Sequence, residues 1–141
     1  MRSLDSVFGI AGTALNAQTI RLNTTASNLA NASAVAGSEA TAFRAKRVTF
    51  KTIMEQQSNS PEINKGGVKV AGITDDPKPI SRMSDPGNPA ADKDGYVYLA
   101  NVNEMTEMVE MMASARSYQN NVEVVNTARQ LTLRTLDIIK S

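Results

Sequence analysis

The chain has 141 residues, enough for one domain and short for two, and its 15 Lys and Arg against 14 Asp and Glu leave a formal net charge of +1. That balance gives no electrostatic basis for a dedicated nucleic-acid or anionic-membrane binder. With no cysteine and no histidine, disulfide frameworks, thiolate zinc sites, Cys nucleophiles and His-based triads are excluded.

The first residues, MRSLDSVFGIAGTALNAQ, are small and apolar but interrupted by Asp5, Asn16 and Gln18. They lack the continuous apolar core and cleavage site of a secretory signal. No apolar run approaches the roughly 18 residues of a membrane span. Leu4, Phe8, Ala11, Leu15, Gln18, Leu22, Thr25 and Leu29 then recur in steps of four and three, a heptad stripe over about four repeats. Val7, Ile10, Ala14 and Ala17 form a second stripe beside it. Ser3 is the expected N-cap, and Asp5 complements the helix dipole. The stretch SNLANAS (27–33) closes this helix, with Asn28 and Asn31 at its end. Asn is a weak helix-interior residue, so their amides are expected to bond the chain's own turn or a neighbouring subunit. Both Asn23-Thr24-Thr25 and Asn31-Ala32-Ser33 match a glycan acceptor pattern, but in a helix and its end such matches arise by chance.

All five prolines, 61, 77, 79, 86 and 89, fall in the middle of the chain, with most of the glycines. Residues 47–53 and 67–73 alternate as strands; 78–83 and 96–99 are weaker strand candidates, and Asp94-Gly95 is a turn signal. Phe43, Phe50, Tyr96 and Tyr98 are expected to cluster there. Arg44, Lys46, Arg47 and Lys51, with Lys65, interleave with aromatics as a phosphate-binding strand does, but a solvated or protein-contact face is the stronger reading. DKDG (92–95) resembles part of a calcium loop. Its register puts Ala90 and Asn101 where acidic ligands belong, so it reads as a turn.

A second heptad stripe occupies the C-terminal third: Met108, Met111, Ala115, Tyr118, Val122, Val125, Arg129, Thr132, Leu136 and Ile139, widened by Met105, Met112 and Leu133. Glu104, Glu107 and Glu110 share a face as metal-binding carboxylates do, but acids also favour a helix N-terminus, and no His completes a site. A helix over about 103–140 would be roughly 55 Å long. The expected fold is mainly α: long N- and C-terminal helices paired as an antiparallel coiled coil, with a small β/turn-rich middle insertion. Residues 1–36 and 103–141 would form one discontinuous helical domain and 37–102 the insertion. Outside its seam the first helix offers Thr13, Asn16, Thr19, Asn23, Thr24, Ser27 and Asn28 rather than Lys and Glu. Such a surface suits close contacts without burying a charge, so both termini are expected to be buried in a multi-subunit assembly.

The terminal heptads with SNLAN resemble the paired end-helices of the flagellar axial proteins, which build rod, hook and filament. Within that class, four blocks resemble the proximal-rod FlgC family in its order. They are LDSVFGIAGTALNAQTIRLNTTASNLANA, FRAKRVTF, PGNPAADKDGYVYLANVNEMTEMV and ARSYQNNVEVVNTARQLTLRTL. The spacer ASAVAGSEATAF before Phe43 also resembles this branch rather than the longer distal rod and hook proteins. The resemblance implies a non-enzymatic structural subunit of the basal-body rod, located in the periplasm and exported without a cleaved signal peptide. Its terminal helices would polymerise, line the export channel and transmit motor torque. Implied partners are other copies of itself, other flagellar rod proteins, basal-body ring or export-gate adaptor proteins, and the flagellar type III export apparatus. No cofactor, metal, nucleic acid or small-molecule substrate is implied. The assembly and helix-packing residues would be Leu4, Phe8, Ala11, Leu15, Leu22, Asn28, Leu29, Asn31, Met108, Met111, Ala115, Tyr118, Val122, Val125, Leu136 and Ile139. The competing class is a soluble helical adaptor or export chaperone that binds one partner through the Met-rich C-terminal helix.

Overall fold

The computed structural model describes residues 2–53 and 66–140. Helix α1 spans Arg2–Ala30 and helix α2 spans Glu104–Lys140. Between them lie five short strands: β1 (Val35–Ala36), β2 (Lys46–Thr52), β3 (Val68–Asp75), β4 (Arg82–Ser84) and β5 (Tyr96–Leu99). Two long helices around small antiparallel sheets agree with the mainly α reading. The boundaries differ in places. α1 already includes Ser3, which is therefore not the N-cap, and it stops at Ala30 rather than running to residue 36. There Asn31 turns its side-chain amide back onto the Ser27 carbonyl at 2.8 Å, and its backbone N–H reaches Ser27 and Asn28. That closes the last turn. β1 follows, a two-residue strand too short to leave a periodic signal. At the far end Asn103 caps α2 by accepting from the Thr106 N–H at 3.0 Å.

β1, β5 and β4 form one antiparallel sheet in the order β1-β5-β4, and β2 pairs with β3 in a separate ribbon. The ribbon register jumps between Thr49 and Phe50, leaving Ala71 as an extra residue on β3. Two sheets mean two aromatic environments. Phe50 lies on the ribbon under Arg21, whereas Tyr96 and Tyr98 lie on β5, with Arg82 over the Tyr96 ring. The single aromatic cluster expected from sequence is therefore divided.

The helices run antiparallel. Asn28 and Arg21 of α1 meet Glu107 and Glu110 near the start of α2, while Leu4 and Val7 share a cleft with Val124, Ala128 and Leu131. The ribbon lies lengthwise on another side of α1. Its root is held at Asn28, and its far end at Thr13, whose hydroxyl accepts from the Val68 N–H at 3.1 Å. The same hydroxyl donates to the Ile10 carbonyl. α1 is thus covered by α2 on one side and by the ribbon on a second.

The helix seam is displaced from the stripe that periodicity suggests. On α2 the innermost positions are Glu107, Ser114 and Ala128, all buried, with Asn121 half-buried between them. Each is one residue before Met108, Ala115, Val122 and Arg129. On α1 the buried residues are Ala11, Ala17, Thr25 and Asn28. Small side chains let the two helix backbones approach closely, and large ones are left outside. Among the described residues the buried apolar core is Ala11, Ala17, Ala42, Ala45, Val97 and Ala128, five of the six being alanine.

Gly67 fixes how the ribbon meets α1. It adopts φ +133°, and a Cβ there would sit 2.7 Å from Thr13 Oγ1. Gly67→Ala is expected to lift this end of the ribbon from the helix at a cost of about 1–3 kcal/mol. Hydrogen exchange at the Val68 amide should then accelerate about tenfold or more; unchanged protection would show that the contact is not needed.

Candidate assembly interface and its polar clasp

Among the described residues the largest fully buried side chains are Glu107, Val97, Asn28 and Ser114, three of the four polar. Two of them belong to one cluster where the end of α1, the start of α2 and the start of β2 converge. Asn28 lies inside α1 two residues before its end and three after buried Thr25, on the same inward side. Its Oδ1 accepts from the Lys46 backbone N–H at 2.8 Å, and its Nδ2 donates to the Lys46 carbonyl at 2.9 Å and to Glu107 Oε2 at 3.0 Å. The amide thus engages both backbone groups of one strand residue, as a neighbouring strand would, and has one proton left for the carboxylate. Every hydrogen of that amide is used, which removes the usual penalty for Asn in a buried helix position.

Glu107 takes its other contact from Arg47. Arg47 Nη1 donates to Glu107 Oε1 at 2.6 Å, and Nε donates to Asp76 Oδ2 at 3.0 Å. The planar guanidinium therefore forks between a carboxylate on α2 and one just past β3. Burial alone would lower the Arg47 pKa, but the bonds and charges of Glu107 and Asp76 outweigh it and raise the pKa above its ordinary value. Arg47 stays charged. Asp76 also accepts from the Lys78 N–H at 2.9 Å. That backbone bond, opposed by burial and assisted by Arg47, holds the Asp76 carboxyl below the usual carboxylate range. Asn101 closes the other side. Its Oδ1 accepts from the Ala45 N–H at 2.7 Å, and its Nδ2 donates to the carbonyls of Asp76 and Lys78.

Sequence reasoning placed these residues in part. Glu107 lies in the first turn of α2, as an acid at a helix N-terminus does, and is also fully buried. Three residues of the basic stretch find acidic partners within the chain: Arg44 bonds the Lys78 carbonyl and faces Glu39, Lys46 pairs with Asp75, and Arg47 is in the clasp. Lys65 lies outside the described residues. Asn101, which the calcium-loop register places at its twelfth position, instead ties the Ala45 N–H to the Asp76 and Lys78 carbonyls. A charged residue in a heptad of small ones (Glu107, Ser114, Asn121, Ala128) was the available signal for the true seam.

The expected packing residues divide by exposure. Ala11 and Asn28 are buried; Leu4, Phe8, Leu15, Leu22, Leu29, Asn31, Met111, Ala115, Val122, Val125 and Leu136 are half-buried; Met108, Tyr118 and Ile139 are exposed. Met105, Val109, Met112, Val124, Leu131 and Leu133 join the exposed group, Met105 at 73% and Met112 at 65%. α2 therefore directs much of its apolar surface away from its own chain. α1 shows solvent an uncharged line of Gly12, Asn16, Thr19, Asn23, Ala26 and Ala30. Among the described residues no group of acids could hold a metal ion, and no helix is long and apolar enough to cross a membrane.

Comparison with known proteins places these features in a family. Residues 8–37 match the family described as flagella basal body rod protein, and residues 93–138 match the C-terminal family of the flagellar basal body rod FlgEFG proteins. The chain is 48% identical to the flagellar basal-body rod protein FlgC of Yersinia enterocolitica over 136 residues, covering 96% of this chain and 98% of that one. It is 46% identical to that of Salmonella typhimurium over the same shares. Identity to that of Agrobacterium fabrum is 35%, over 100% of this chain and 99% of the relative.

The clasp generates two expectations. Arg47→Met removes the partner of a buried carboxylate and should cost about 3 kcal/mol or more. The readout is the thermal midpoint of the assembled protein, and an unchanged midpoint would deny the clasp its role. For pH, folded Asp76 binds its proton less readily than unfolded Asp76. Its contribution is therefore complete above the unfolded value of about 3.9 and is lost as pH falls through the lower folded value. The midpoint should fall with acidification in that window, and Asp76→Asn should flatten the fall.

Proposed function

On these relationships the chain belongs to the FlgC family of flagellar basal-body rod proteins and is a structural subunit of the basal-body rod, and we propose that it polymerises through its two terminal helices. The observation that carries this reading is the inverted distribution of apolar surface. A buried core of five alanines and one valine offers little hydrophobic stabilisation, while Met105, Met108, Val109 and Met112 are more than half exposed. Neighbouring subunits would supply the burial that the chain does not supply for itself.

In this reading α1 and α2 supercoil as an antiparallel pair on the inner side of the rod around the export channel, and the residue 37–102 insertion faces outward. The sixteen packing residues divide into those that hold the pair together, such as Ala11 and Asn28, and those that meet neighbours, such as Met108 and Ile139. Torque passes through many interlocked contacts rather than a catalytic site. Partners are other copies of the chain, other rod proteins, ring or export-gate adaptors, and the type III export apparatus, which delivers the chain to the periplasm without a cleaved signal.

The test is concentration dependence. At high dilution the isolated chain should have low helicity by circular dichroism, because its Ser-, Thr- and Asn-rich helices have weak propensity and a poor seam. Helicity should rise as rod assemblies sediment. A fully helical, cooperative monomer that never polymerises would overturn the reading.

A further inference from the structure

Sulfur is unevenly placed on this chain. Of its seven methionines, four fall within the first three turns of α2: Met105, Met108, Met111 and Met112. Met111 is half-buried, whereas Met105, Met108 and Met112 are 73%, 54% and 65% exposed. Further along α2 the exposed large apolar residues are Tyr118, Val124, Leu131, Leu133, Ile138 and Ile139, none of which carries sulfur. With no cysteine in the chain, thioethers are its most readily oxidised groups.

The three exposed thioethers occupy positions i, i+3 and i+7, one side of the helix. Glu107 and Ser114 are buried on the nearly opposite side at 3.6 residues per turn. That placement decides what oxidation does. A core methionine becomes a lesion when oxidised, because a polar sulfoxide is then enclosed by apolar neighbours. Here the bonds that hold the start of α2 run through Asn28, Arg47 and Glu107, away from the sulfurs, and oxidation changes the outer surface instead. Leucine at the same positions would supply equal helix propensity and similar apolar volume. What methionine adds is a flexible side chain with an oxidisable sulfur.

We infer that Met105, Met108 and Met112 form a reversible oxidation site for peroxides, and that the sulfoxide form of the subunit does not polymerise. A thioether lone pair attacks one peroxide oxygen, and the O–O bond breaks as the S–O bond forms. The proton on the transferred oxygen passes to the departing one, which leaves as water. Sulfur loses two electrons and the peroxide gains them. The inference rests on the reading that the subunit polymerises through its helices, and adds a chemical state that prevents it. Each sulfoxide oxygen is a strong acceptor that must shed its water to enter an apolar contact, and three of them lie along one ridge.

Hydrogen peroxide is the probe. The full chain is oxidised at graded doses, sulfoxides are located by mass spectrometry as peptides one oxygen heavier, and polymer is measured by sedimentation. Wild-type chain is expected to lose polymer severalfold and to regain it after methionine sulfoxide reductases act. The combined variant Met105→Leu, Met108→Leu, Met112→Leu is expected to keep its polymer under the same doses. The reciprocal variant Met54→Leu, Met83→Leu, Met111→Leu is expected to lose it as wild type does; Met83, on β4 and 48% exposed, is the control for exposure alone. Undiminished polymer from wild-type chain with sulfoxides at all three ridge positions would overturn the inference, as would equal loss in the ridge variant. Should the ridge variant fail to polymerise untreated, the wild-type doses decide: polymer loss that follows Met83 rather than the ridge overturns it. If untreated wild-type chain does not polymerise, the assembly reading fails and this inference fails with it.

Discussion

One buried carboxylate constrains the arrangement of everything around it. Glu107 is fully shielded from solvent, and a charge in that position is tolerable only if both oxygens are engaged. Arg47 on β2 takes one oxygen and Asn28 on α1 the other. Because Asn28 also holds the Lys46 backbone, and Arg47 also holds Asp76, satisfying one carboxylate fixes α1, α2 and the ribbon together. Moving any of the three elements would leave a buried polar group without a partner, a penalty larger than the net gain from an ordinary hydrogen bond. The clasp therefore specifies geometry more than it adds stability.

That division of labour explains the poor apolar core. A seam of Ala11, Thr25, Ser114 and Ala128 brings two helices close together but removes little apolar surface from water. The larger side chains are turned outward because the seam stripe is one residue out of step with them. For a protein that must stand alone this would be a defect. For a rod subunit it leaves apolar surface available for neighbours, while the clasp holds the chain in the shape that those neighbours meet.

The presence and approximate extent of both helices, the ribbon strands and the turn at Asp94-Gly95 were legible in the sequence. Their signals are local: heptad spacing, the SNLAN stop, alternation, and a glycine at positive φ. The register of the helix pair was not. Stripes through 107, 114, 121 and 128 and through 108, 115, 122 and 129 have the same period. Hydrophobicity favours the second, whereas the deepest burial lies on the first. The clasp was equally hidden. Arg47 sits among basic residues and Glu107 among acids that suit a helix N-terminus, and only tertiary structure brings them within 2.6 Å. β1 was missed for a different reason: two residues paired to Leu99 and Tyr98 contain no pattern.

Asn28 shows how function follows from this arrangement. Two asparagines near a helix end invite the idea that both face a neighbouring subunit. Asn31 is half-buried and caps its own helix. Asn28 is 1% exposed and uses both amide hydrogens and its carbonyl oxygen inside the chain. Its role is therefore within its own chain. It sets the angle between the ribbon and the helix pair, and through Glu107 the position at which α2 begins and its methionines emerge. A chain with a weak apolar core needs its polar contacts in particular places, because little else would prevent the helices from rotating until their methionines were buried.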